Sequence, residues 1–133
     1  MCPIKFDVEK TVQYWLEGAE YDINVTDAMY QTEKYPYALF IGHLALEKLL
    51  KALFVRTLKE HAPHTHSLTL LASKLSIEIP KNTIKKLARF MEFHFEARYP
   101  EEQKVFYKKC TKKFTKEKLQ EIKEVFAWLK EKL

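Results

Sequence analysis

At 133 residues, 47% of them hydrophobic and only two of them glycine, the chain is long enough for one domain with a real core, which excludes a disordered protein. Its formal charge of +5 is unevenly spread: residues 1–66 hold 7 Lys/Arg and 9 Asp/Glu, whereas residues 67–133 hold 16 and 9. No stretch reaches the about 18 uninterrupted apolar residues of a spanning helix, and the start, MCPIKFDVEK, lacks an apolar signal core, so one cytoplasmic domain over 1–133 with no membrane contact is expected.

The first helix is expected from about Asp7, a reasonable N-cap, to Glu33. Val8, Val12, Trp15, Ala19, Ile23, Thr26 and Tyr30 recur on one face. Pro36 pushes Tyr35 out of helical geometry and ends that helix. A second helix is expected from Pro36 to about Glu60. Its sequence, YALFIGHLALEKLLKALFV, is apolar almost all round, which predicts burial on more than one side, one in the domain core and the other against a second subunit.

HAPHTH reads as a loop, and Ser67 caps a short helix, LTLLASKL. SIEIP connects to a helix expected from Lys81 to just before Pro100. A short basic helix at 101–110 follows, and Thr115 opens a last helix with Leu119, Ile122, Phe126, Leu129 and Leu133 on one stripe. Four principal antiparallel helices with short links predict an all-α, up-and-down bundle of four or five helices.

Cys2 and Cys110 lie far apart without metal-ligand spacing and read as reduced thiols. His61, His64 and His66 crowd one loop, but no carboxylate or cysteine nearby completes a set, so no metal site is assigned. Gly18 and Gly42 are isolated inside helices; there is no glycine-rich phosphate loop, no serine-nucleophile motif and no indicated cofactor. The stretch KVFYKKCTKKFTKEK, residues 104–118, sets seven lysines against one glutamate with Phe106, Tyr107 and Phe114 interleaved. Lys108, Lys109, Lys112 and Lys113, with Lys51, are candidate contacts for a nucleotide or RNA backbone; a solvated lysine face is the competing reading.

Within RFMEFHFEARYP, residues 89–100, the charges divide. At about 100° per residue, Ile84, Leu87, Ala88, Met91 and Phe95 form the inward arc, and Arg89 falls opposite with Glu92 in reach. His94 and Arg98 project into or beside the apolar arc, where charges are rarely left unpaired. On a regular helix Arg89 and His94 stand about 140° apart. His43, Glu47 and Lys51, spaced by four, add a polar stripe to the second helix, and Asp22 lies beside the inward face of the first. Asp22, His43, Glu47, His94 and Arg98 are therefore expected to converge, either as a structural network with Glu47 or Asp22 clamping Arg98, or as a working site.

Four segments carry a family resemblance: WLEGAEYDINVTDAMY, YPYALFIGHLALEKLLKALFV with His43, Glu47, Lys48 and Lys51, then THSL at 65–68, then ARYP at 97–100. In order and spacing the chain, over about residues 7–130, resembles the HEPN domain family. The resemblance implies a helical bundle that often dimerises, here a homodimer through the second helix. It also implies pairing with a minimal nucleotidyltransferase protein as two halves of a toxin–antitoxin-like system. Many such relatives are metal-independent ribonucleases with the motif Arg, four to six residues, His, and Arg89 and His94 meet that spacing. The resemblance thus makes His94 and Arg89 candidate catalytic residues, the histidine moving a proton and an arginine holding the phosphate, and Arg98, from its place beside the apolar arc, is the third candidate. Three readings stay open: a nucleotidyltransferase partner that binds nucleotide or RNA, an endoribonuclease toxin, and a non-catalytic helical scaffold.

Overall fold

A computed structural model describes residues 6–133, and within them the secondary structure is entirely helical. The segment MCPIK, with Cys2, lies outside the described residues. Six α-helices follow in order: α1 Val8–Gln31, α2 Tyr35–Leu58, α3 Leu68–Ser73, α4 Lys81–Phe90, α5 Pro100–Lys109 and α6 Lys112–Glu131. Two 3-10 turns, Met91–Phe93 and Phe95–Ala97, separate α4 from α5. The chain has the antiparallel helix packing expected of it, with α2 lying against α1, α3 and α6.

Local signals set most helix ends. Asp7 accepts the Lys10 N–H at the start of α1, and Ser67 accepts the Leu70 N–H at the start of α3. Pro36 sits in the first turn of α2, and Lys59, in the left-handed region, closes it. The last helix starts earlier than Thr115: Thr111 caps it through the Phe114 N–H, and Thr115 is buried one turn inside. The expected stripe is otherwise present, with Leu119, Ile122, Phe126 and Leu129 buried.

The larger correction concerns α4. It stops at Phe90, whereas the pattern predicts a helix running on to Tyr99. On a continuous helix Phe93 would point about 180° away from Ile84, into water. In the structure Phe90, Phe93 and Phe95 are all at most 2% exposed. Phe93 and Phe95 both pack on Phe106 of α5, with ring centroids 5.9 and 5.5 Å apart. Burying aromatics of this size outweighs the few tenths of a kcal/mol per residue that separate helical propensities.

A second correction concerns α2. Its own chain covers most of it: Leu39, Ala45, Leu46, Leu49, Leu50 and Ala52 are fully buried. The whole apolar side expected to await a second subunit is not bare. What remains is a narrow stripe, with Tyr37 exposed and Phe40, Ile41 and Leu44 half-buried. Among the described residues no helix is long and apolar enough to cross a membrane.

Candidate functional site

Four elements meet around a cluster of imidazoles: the first half of α2, the loop before α3, the two 3-10 turns and the start of α5. Spacing by four puts His43 and Glu47 on one face of α2, and both are buried. Lys51, one turn further, donates to Glu47 Oε2 at 3.1 Å and lies over the Trp15 ring at 5.1 Å. The opposite oxygen, Glu47 Oε1, accepts from His66 Nδ1 at 2.9 Å. A carboxylate thus held by a buried lysine fixes the ring of His66, which is itself largely exposed.

The loop is positioned by its own backbone. The Ser67 N–H donates to Thr65 Oγ1, and Ser67 caps α3, so His66 stands at a constrained corner. His43 Nε2 lies 3.1 Å from the His66 carbonyl oxygen. A carbonyl only accepts, so Nε2 carries the proton of His43. The other nitrogen, Nδ1, is buried without a hydrogen-bond partner. Burial pushes the His43 pKa down to about 4, against a smaller opposing pull from Glu47, and the ring stays neutral at ordinary pH.

His94 occupies the junction of the two 3-10 turns, with ψ at 63°, outside helical values. Its ring stacks on His66 at 4.3 Å and meets His43 edge-on at 5.2 Å. Its pKa is lowered from the ordinary histidine value, first by desolvation and then by His66. His66, His94 and Arg98 line one open pocket of about 380 Å³, with Met91, Tyr99 and Glu102. Arg98 donates to Glu102 at 3.3 Å and keeps much of its guanidinium exposed. A neutral imidazole, a second imidazole on a carboxylate and a guanidinium suit proton transfer beside a bound phosphate.

The expected network divides differently from its sequence reading. Arg98 is clamped by neither Glu47 nor Asp22; Glu102, in the first turn of α5, takes it. Asp22 pairs with Lys48 at 2.8 Å, away from the imidazoles. Arg89 is exposed in the last turn of α4 and does not line the pocket. Glu92, its expected partner, takes Lys109 at 2.7 Å instead. The angle of a regular helix does not describe Arg89 and His94, because the helix ends between them. Lys51 is 6% exposed and tied to Glu47, which removes it from the surface lysines. Lys108, Lys112 and Lys113 are exposed, and Lys109 also stands over Phe114.

His66 is the residue that sequence reasoning undervalues. The sequence places it in a histidine-rich loop beside a cap, whereas the structure makes it the link from Glu47 to His94. The available signals are the THSL segment and a Glu47 that needs a partner beyond Lys51; a separation of 19 residues hides the pairing.

A family model described as HEPN domain matches residues 12–133. The crystal structure of TT1696 from Thermus thermophilus is similar, with a TM-score of 0.78 and 21% identity over 92% of this chain and 98% of that one. At that identity the likeness is one of fold. No curated protein matches the chain.

Proposed function

The chain belongs to the HEPN domain family, and from that premise we propose that it is an RNA-directed member whose pocket cleaves a phosphodiester without metal. The observation that carries this reading is the meeting of His94, His66 and Arg98 in one pocket, two of them in stacked contact. In the proposed chemistry His94 takes the proton of a ribose 2′-hydroxyl. The 2′ oxygen bonds to phosphorus and the 5′ oxygen leaves with a proton, giving a cyclic phosphate. Arg98 holds the phosphate oxygens as charge builds on them. A depressed pKa keeps His94 unprotonated and so available as a base at neutral pH.

The proposal extends to partners. Exposed Lys108, Lys112 and Lys113 lie on α5 and α6 of the basic half and supply phosphate contacts for the strand. A minimal nucleotidyltransferase is the proposed companion of a toxin–antitoxin-like pair, on the family resemblance. The stripe of Tyr37, Ile41 and Leu44 on α2 is the proposed contact with a second copy.

Purified protein in excess chelator should cut single-stranded RNA, and His94→Ala should lower the rate by about 100-fold or more. Cleavage at an unchanged rate in that variant would take His94 out of the reaction. RNA bound but never cut, with affinity falling as salt rises, would favour the non-catalytic partner instead.

A further inference from the structure

His66 has two faces with different neighbours. Nδ1 donates to a buried carboxylate, whereas the remainder of the ring opens onto the pocket and stacks on His94. We propose that His66 is the general acid of the cleavage, donating its Nε2 proton to the departing 5′ oxygen, and that Glu47 and Lys51 are the positioning residues that hold it for this. The assignment rests on the ribonuclease reading above and gives the second half of its proton traffic.

The environments of the two rings differ in the way an acid and a base require. His94 touches His66, His43 and Phe40, none of which supplies a negative charge within hydrogen-bond reach. A proton on His66 is balanced directly by Glu47 at 2.9 Å. His66, and not the His94 ring stacked 4.3 Å from it, has a carboxylate at hand to set against a positive charge. Glu47 could also have been spent wholly on Lys51. It uses one oxygen for each, and its burial fixes the direction in which Nδ1 must point.

The proton count closes. One proton passes from the 2′-hydroxyl to His94 and one from His66 Nε2 to the 5′ oxygen, while the bond from phosphorus to that oxygen breaks and the bond to the 2′ oxygen forms. Solvent exchange then returns both rings to their starting states. The ionisable groups around His66 are His43, Glu47 and Lys51 from α2, His94 from the 3-10 junction, and Arg98 and Glu102 from the pocket rim.

The test compares two substrates whose leaving groups differ. RNA expels an alkoxide that needs a proton, whereas the p-nitrophenyl ester of uridine 3′-phosphate expels a phenolate that does not. With His66→Gln, cleavage of RNA should fall by about 100-fold or more while cleavage of the ester stays within about 10-fold of wild type. His94→Gln should lose both. Glu47→Gln should lower RNA cleavage more than ester cleavage, because the amide no longer fixes the His66 ring through Nδ1. His66 is mostly exposed, so its substitution leaves the core alone, and a melting curve checks the Glu47 variant. Equal losses on both substrates, or no loss on RNA, would overturn the assignment while leaving the ribonuclease reading in place. A wild-type protein that cuts neither substrate would sink both.

Discussion

His43 is a buried imidazole with one nitrogen satisfied by the His66 carbonyl and the other without a partner. Holding it neutral links the fold to pH. Its pKa is 6.5 in the unfolded chain and about 4 when folded. Between these values the unfolded chain binds more protons, so stability is full above about pH 6.5 and is lost as pH falls toward 4. His94, also lowered, adds in the same direction. Chemical denaturation should therefore show stability at pH 7 exceeding that at pH 4.5 by on the order of 2 kcal/mol from His43. A flat profile across that window would contradict a buried neutral His43. At this scale the sequence was legible in part. Spacing by four correctly put His43, Glu47 and Lys51 on one face, and the Glu47–Lys51 pair followed from local order. Pairings between segments were not legible, because Arg98 chose Glu102 and Asp22 chose Lys48 through tertiary placement that no local rule encodes.

Among the elements, α2 is the one the others are built around, and its glycine shows how closely. A Cβ at Gly42 would stand 2.9 Å from Ile122 Cδ1 of α6, a fully buried side chain. Gly42→Ala gains up to about 1 kcal/mol of helix propensity but forces an overlap that costs about 1–3 kcal/mol in a packed core. The variant should melt lower than wild type, and adding Ile122→Val, which removes the offending methyl group, should recover the loss. A Gly42→Ala protein that melts higher by itself would mean that the α2–α6 contact is looser than described. Gly18→Ala meets only the flexible Lys48 stem at 3.2 Å and serves as the tolerant control. Helix existence and most starts were legible from periodicity, caps and prolines, as at Asp7, Pro36 and Ser67. The break after Phe90 was not, since FMEFHF satisfies a helical pattern well enough until α5 is there to bury Phe93 and Phe95. That break is also what sets His94 beside His66, so the error in the element and the gap in the site have one cause.

For the molecule as a whole, charge and shape divide the work. The basic half contributes α5 and α6 with their exposed lysines, and the acidic half contributes the α1–α2 frame that fixes Glu47. The bundle and the family were legible from the order of segments along the chain, and the match over residues 12–133 shows the family. Which arginine serves the pocket was not, because Arg89 satisfies a linear spacing while Arg98 satisfies the geometry. The most direct measurement is the initial rate of single-stranded RNA cleavage in chelator for wild type, Arg98→Ala and Arg89→Ala. The account predicts that Arg98→Ala loses about 100-fold or more while Arg89→Ala stays near wild type. The reverse order, or a wild-type protein without cleavage, would contradict it.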